Sequence, residues 1–152
     1  MLPVWKDDLT RRLKVLRAHS RDGVALASGR KQFPVVIFAP GGGQKVLAYT
    51  TLLEDLASDG YVVAAIEPPY NAAAMQFPDG RIIGRLAPAD RGWEEPKTRD
   101  DQPRIYEQMV LHWARDVSFV LNRLTDLNNA SQGLFAHRLD VARVGAFGHS
   151  RG

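Results

Sequence analysis

Arg143-Val144-Gly145-Ala146-Phe147-Gly148-His149-Ser150-Arg151-Gly152 is the stretch whose reading decides the fold. The apolar run Val144 to Phe147 predicts a short buried strand, and it delivers a G-x-S-x-G at Gly148, Ser150 and Gly152. This is the pattern of a nucleophile elbow. A serine carried on a tight strand-to-helix turn needs small residues two positions to either side, because the backbone is strained there and a side chain would strike the adjacent strand or helix. Ser150 is therefore the first candidate for a reactive residue. A bare G-x-S-x-G arises by chance in about one chain in twenty of this length, and the competing reading is a glycine-rich turn with an incidental serine. The surrounding sequence has to carry the argument.

Working outward, the 152 residues suffice for one domain with a core, and 45% hydrophobic with 24% charged residues is ordinary for a globular protein. Disordered and collagen-like classes are excluded. No stretch approaches the length of a membrane span, and Met1 to Arg17 lacks the apolar core of a secretory signal, so the expected location is cytoplasmic. The absence of cysteine excludes disulfides, thiolate catalysis and Cys-zinc sites. The formal charge is +3, with the basic residues interleaved among acidic ones; these read as solvated faces, and no nucleic-acid partner is expected.

Upstream, Phe33 to Ala39 is a continuous apolar run of strand length, as expected of a strand buried on both faces of a parallel sheet. It ends in Pro40-Gly41-Gly42-Gly43-Gln44. Consecutive glycines just past such a strand let backbone N–H groups face outward, which suits an oxyanion hole for acyl transfer. A phosphate-binding turn competes, but neither G-x-G-x-x-G nor G-x-x-x-x-G-K-[ST] is met; a plain flexible loop is the other alternative. Leu47, Leu52, Leu53 and Leu56 predict an amphipathic helix closing at Ser58-Asp59-Gly60, and Tyr61 to Ile66 a second buried strand. Strand, glycine loop, helix and strand form a βαβ unit with parallel strands. Glu67 then falls at the carboxyl end of the second strand, where open α/β sheets place ligands, though a solvated or loop-bracing carboxylate is the plainer reading.

Trp5, Leu9, Leu13 and Leu16 predict an N-terminal amphipathic helix that packs on the fold, and Val24 to Ala27 a short strand. Residues 68 to 102, rich in Pro, Gly, Asp and Arg, read as an excursion over the carboxyl edge of the sheet. Within it, Met75-Gln76-Phe77 and Arg81-Ile82-Ile83 flank Pro78-Asp79-Gly80 as a small hairpin, and Tyr70 and Trp93 are candidate walls of an acyl pocket. Ile105, Met109, Trp113, Val117, Val120 and Leu124 mark a helix of about twenty residues. On it His112 and Asp116 lie one turn apart and read as a hydrogen-bonded surface pair, since no third ligand is near for a metal. A polar loop from Asn128 to Gly133 precedes Leu139 to Arg143 and the last strand.

Taken together, Phe33 to Phe38 running into Pro40-Gly41-Gly42, then Leu56-Ala57-Ser58-Asp59-Gly60-Tyr61-Val62-Val63-Ala64-Ala65-Ile66, then Asp140 to Arg143 and the G-x-S-x-G, resemble the α/β-hydrolase superfamily. The likeness is greatest to the branch of platelet-activating factor acetylhydrolases and dienelactone hydrolase-like proteins. It covers about residues 33 to 152. The resemblance implies an α/β three-layer sandwich with a mostly parallel sheet, incomplete and ending at the elbow. Residues 1–152 would be the N-terminal part of a single domain, with 1–32 as helix and lead-in and 68–102 as the excursion.

The resemblance also implies roles. Ser150 matches the nucleophile, and the backbone N–H groups of Gly42 and Arg151 match the oxyanion donors. Pro40 stands where many relatives have histidine, and Arg151 where an aromatic residue or methionine is common; neither change removes a backbone donor. In this fold the acid and the histidine of the triad follow the serine. The expectation is a serine-dependent carboxylic ester hydrolase, acetylhydrolase- or lipase-like, acting through an acyl-serine on a small-molecule or lipid ester, with no cofactor or metal. The chain alone, without the catalytic acid, the histidine and the C-terminal half of its domain, is expected to be inactive. His19, His112, His137 and His149 are not assigned as the base. A noncatalytic truncated product or binding module, and a lactone or amide hydrolase on the same scaffold, stay open as alternatives.

Overall fold

The computed structural model describes residues 18–72, 74–85 and 98–152. The predicted N-terminal helix and Trp93 lie outside these residues. Strand β1 (Phe33–Ala39) forms from the apolar run and is buried along most of its length. A single 3₁₀ turn, Val46–Tyr49, and helix α1 (Thr50–Ser58) follow. Gly60, at φ 91°, makes the turn into β2 (Val62–Ala65), a conformation that costs glycine little. The hairpin of β3 (Ala74–Gln76) and β4 (Ile82–Gly84) is antiparallel and forms its own small sheet. Helix α2 (Gln102–Asn129) and strand β5 (Leu139–Gly148) complete the described chain.

The main sheet has the order β2-β1-β5, with both pairings parallel. Val35 of β1 stands beside Val62 on one side and Val144 on the other. Because side chains alternate along a strand, Val35 and Ile37 face one layer and Phe38 the opposite one. Helix α2 covers the first face: Leu124 is buried with Val35, Ile37 and Leu139, and Val117, Val120 and Leu121 pack around them. Removing a side chain such as Ile37 from this layer would cost about 2–5 kcal/mol through lost burial and the cavity left behind.

Several expectations are corrected. Val24 to Ala27 form no strand; the segment leaves the Gly23 turn as irregular chain. Leu47 belongs to the 3₁₀ turn and is exposed, Leu52 is exposed as well, and Leu53 and Leu56 are only half-buried, so the predicted stripe of α1 is not a buried one. Helix α2 is longer than about twenty residues: it runs 28 residues from Gln102, with Pro103 in its first turn, to Asn129, following a 3₁₀ turn (Arg99–Asp101) that a Thr98/Asp101 capping box opens. Asn128 is thus helical and buried, with its Oδ1 accepting the Leu139 N–H at 2.9 Å and its carbonyl accepting the His137 N–H at 2.7 Å. Strand β5 already begins at Leu139, and the register shifts between Pro34 and Val35, so that Val141 to Arg143 bulge outward while Arg143 folds back onto Asp140 at 2.6 Å. Beyond the bulge the strand is not buried as its apolar run suggests, because among the described residues β5 flanks the sheet and has β1 as its sole neighbour.

All three strands of the sheet point the same way, so their carboxyl ends share one edge. Ala39 pairs with Gly148 there, and Glu67 follows β2. The loop after β1, the segment after β2 and the turn after β5 converge on this edge.

Candidate active site

The turn after β5 is fixed by its own backbone. Ser150 has φ 58°, the left-handed region that an L-residue with a side chain occupies only under constraint. The constraint is visible on both sides. A Cβ on Gly148 would run into the Gly152 carbonyl, and one on Gly152 would lie 2.6 Å from the carbonyl carbon of Ala39 and 2.7 Å from the Pro40 oxygen. The His149 N–H donates to the Ala39 carbonyl at 3.2 Å, continuing the ladder to β1, and the Gly152 N–H donates to the His149 carbonyl at 2.9 Å, closing the turn. Small residues at 148 and 152 are therefore a packing requirement.

The loop after β1 is a tight turn in which the Gln44 N–H donates to the Gly41 carbonyl at 2.9 Å and Gly43, at φ 81°, takes the position that calls for glycine. Remote side chains hold it. Asn71, 5% exposed, accepts the Gly43 N–H on Oδ1 at 3.0 Å and donates from Nδ2 to the Gly41 carbonyl at 3.4 Å. The Tyr49 hydroxyl accepts the Gly41 N–H at 3.2 Å and lies 2.8 Å from His149 Nδ1. Its ring stands edge-on to Phe38, centroids 4.7 Å apart, and Phe38 meets Phe147 at 5.0 Å. Tyr49 thus ties the glycine loop to the serine turn. Neither Gly42 nor Arg151 donates its backbone N–H to another described residue. The Arg151 side chain arches over Gly42, its Cδ 3.1 Å from where a Cβ of Gly42 would stand.

The structure thus brings Ser150, Arg151 and the Gly42 loop together. Tyr49 and Asn71 escaped the sequence reading. Tyr49 offers only the weak signal of an aromatic residue next to the predicted helix stripe, and Asn71 lies in the irregular excursion. Glu67 is half-buried, and its Oε1 is out of solvent without a hydrogen-bond partner among the described residues. Tyr70 follows in the left-handed region at φ 65° and is partly exposed.

The four histidines are spread out. His149 Nδ1 is occupied by Tyr49, His19 stands 3.4 Å from Glu54, and His137 precedes β5, a ten-residue strand away from Ser150. His112 is on α2 one turn before Asp116. Partial burial raises the Asp116 carboxyl above its ordinary range, and His112 draws it part of the way back. Among the described residues no three His, Asp or Glu side chains gather in a way that would hold a metal ion. No helix among them is long and apolar enough to cross a membrane.

The family described as platelet-activating factor acetylhydrolase, isoform II, matches residues 9–150. The chain belongs to that family. It is 28% identical over 108 residues to the platelet-activating factor acetylhydrolase of the dog, Canis lupus familiaris, covering 68% of this chain and 24% of that protein. It is 32% identical over 50 residues to a probable 1-alkyl-2-acetylglycerophosphocholine esterase of Arthroderma benhamiae, covering 33% of this chain and 13% of the relative. Among solved structures, a ferulic acid esterase from Streptomyces cinnamoneus matches with a TM-score of 0.63 and 29% identity, over 95% of this chain and 38% of the esterase. The architecture is accordingly a partial α/β-hydrolase fold with a mostly parallel sheet. The chain spans a quarter or less of the curated relatives' lengths.

Proposed function

We propose that this family member is a serine-dependent carboxylic ester hydrolase, and that residues 1–152 carry its nucleophile and its oxyanion donors. One observation carries the reading: Ser150 is held at φ 58° between two glycines that admit no side chain, beside a glycine loop whose Gly42 N–H is unspent among the described residues. The matched relatives whose printed names describe esterases and an acetylhydrolase support the ester class.

In this reading the Ser150 Oγ attacks the ester carbonyl while its proton passes to a general base. The carbonyl oxygen takes up the negative charge and accepts hydrogen bonds from the Gly42 and Arg151 N–H groups, donors already in place before the charge develops. Collapse expels the alcohol, which takes up the proton from the base, and water repeats the sequence on the acyl-serine. The serine needs that base, because a neutral alcohol is a poor nucleophile. His149 does not supply it, since its Nδ1 is engaged by Tyr49, and His137 lies beyond the far end of β5, whose pairing with Phe33 to Ala39 spans roughly 20 Å at about 3.3 Å per strand residue. The acid and the base are therefore assigned to residues other than these 152, and the 152-residue chain by itself is inactive.

Expression from the complete gene, followed by a panel of ester, lactone and amide substrates, tests the assignment. Ester turnover is expected to dominate and to fall by about 10³-fold or more in Ser150→Ala. Undiminished turnover in that variant, or ester cleavage by the 152-residue chain alone, would overturn it.

A further inference from the structure

The Gly42 N–H is aimed from the other end of its own peptide group. A trans peptide is planar, so its N–H points opposite to its carbonyl, and the carbonyl opposite the Gly42 N–H is that of Gly41. That carbonyl accepts the Gln44 N–H at 2.9 Å and Asn71 Nδ2 at 3.4 Å. The preceding peptide is held as well, because the Gly41 N–H donates to the Tyr49 hydroxyl at 3.2 Å. With the peptides on both sides of Gly41 tied, the plane that carries the Gly42 N–H has little freedom to turn.

The Tyr49 hydroxyl has a proton of its own to place. Its oxygen already accepts from Gly41, and the other described atom that it meets in a hydrogen bond is His149 Nδ1, at 2.8 Å. In a neutral imidazole one nitrogen accepts and the other donates. With the ring proton on Nδ1, the Tyr49 O–H would have no acceptor; with the proton on Nε2, the Gly41 N–H, the Tyr49 O–H and Nδ1 are all satisfied. The chain then runs one way, from the Gly41 N–H to the Tyr49 oxygen and from the Tyr49 O–H to Nδ1, and bonds aligned in this manner strengthen one another. The packing agrees. A Cβ on Gly41 would stand 3.1 Å from His149 Nδ1 and 3.4 Å from the Tyr49 oxygen, so the pair lies directly against Gly41. The serine turn itself is closed by the backbone N–H and carbonyl of His149, which leaves the side chain for this second task.

We infer that His149 is a positioning residue for the oxyanion donor: as the Nε2–H tautomer it holds the Tyr49 hydroxyl, the hydroxyl holds Gly41, and Gly41 aims the Gly42 N–H. The inference rests on the ester-hydrolase reading of Ser150 and Gly42, and gives the residue before the serine a part in that reaction which involves no proton transfer from Ser150.

The test replaces His149 in the protein expressed from its complete gene. Asparagine carries its amide oxygen at the same number of bonds from the backbone as histidine carries Nδ1, and leucine carries no acceptor. In His149→Leu, kcat on 4-nitrophenyl acetate is expected to fall by about tenfold with KM nearly unchanged, a part of what losing a whole oxyanion donor costs. His149→Asn should recover most of that loss. His149→Leu combined with Tyr49→Phe should be no slower than either alone, since both cut the same chain. His149→Leu as fast as the wild type, or His149→Asn as slow as His149→Leu, overturns the inference. So does a loss of about 10³-fold or more in both variants, which is the mark of a missing general base. Two readouts need no turnover and keep this inference separable from the proposed function. Nitrogen-15 NMR of the neutral His149 ring should find the proton on Nε2, and amide hydrogen exchange at Gly41 should quicken in His149→Leu but not in His149→Asn. That pattern sustains the positioning role even if no ester is cleaved. A proton on Nδ1, or Gly41 exchange unmoved by His149→Leu, removes it even if esters are.

Discussion

The two turns at the carboxyl edge of the sheet solve the same problem in different ways. The turn from Gly148 to Gly152 is specified locally: its glycines face backbone atoms at near contact, its N–H groups close onto β1 and onto itself, and Ser150 is left in a left-handed conformation that nothing nearby allows to relax. The turn from Gly41 to Gln44 meets mostly side chains at its glycines and is held by side chains of other segments, by Asn71 across 28 and 30 residues of sequence and by Tyr49, which takes the Gly41 N–H across 8 residues and reaches His149 across 100. In the proposed reading, the nucleophile and its donors are thus positioned by different kinds of contact, joined through the Tyr49 hydroxyl and His149. Local constraint fixes the serine turn, whereas the glycine loop depends on side chains reaching in from other segments.

The contrast breaks first at the glycines. Gly148→Ala or Gly152→Ala is expected to cost about 3 kcal/mol, because the new methyl meets backbone that cannot yield. Gly43→Ala should cost about 1 kcal/mol, from its left-handed φ alone, since only the flexible Arg85 guanidinium is near. Urea denaturation of the three variants measures the gap; equal costs would mean that both turns are locally specified.

Asn71→Ala comes next. It strips the Gly43 N–H and the Gly41 carbonyl of their buried partner, at an expected cost of about 1–3 kcal/mol, and the loss should appear as faster amide hydrogen exchange at Gly43 with the serine turn unaltered. Tyr49→Phe keeps the ring on Phe38 but removes the hydroxyl that joins the two turns. About 1 kcal/mol of stability is expected to go, and, in the esterase reading, kcat should fall with KM little changed, because the donor answers only the charged intermediate.

The smallest effect is a control away from both turns. Burial raises the Asp116 carboxyl, so the folded protein holds its proton to a higher pH than the unfolded chain does. Ionisation of Asp116 therefore subtracts stability above its folded titration point and subtracts nothing below the ordinary aspartate range. Asp116→Asn should raise the unfolding temperature slightly at neutral pH, where the lost attraction to His112 offsets part of the gain, and leave it unchanged near pH 3. A gain at pH 3 would contradict the sign.

What the sequence made legible follows the same division. The serine turn, the glycine loop, the parallel βαβ unit and the Pro78-Asp79-Gly80 hairpin are written in neighbouring residues, because backbone sterics act over a few positions. Asn71 and Tyr49 were not legible as supports, since a side chain that reaches another segment leaves no periodic mark. Asn128 misled for a related reason. Asparagine is a poor helix residue and marks loops, yet its amide oxygen is the partner that the first N–H of β5 requires, and this tertiary demand extends α2 through it. The run Val144 to Phe147 was misread in the opposite direction. Its composition suits a strand flanked on both sides, but among the described residues only β1 lies against it, and Phe147 is 37% exposed.

That one-sided pairing writes itself into isotope labelling. In a parallel strand the peptide groups alternate between the two flanks, and the His149 N–H faces β1. The amides of Gly145 and Phe147, in phase with it, are directed into the ladder, whereas those of Val144 and Ala146 are directed to the outer flank. In deuterated water β5 of this structure would therefore label as a comb, with slow and fast amides alternating residue by residue. Any chain that came to lie along its outer flank would fill in the fast teeth.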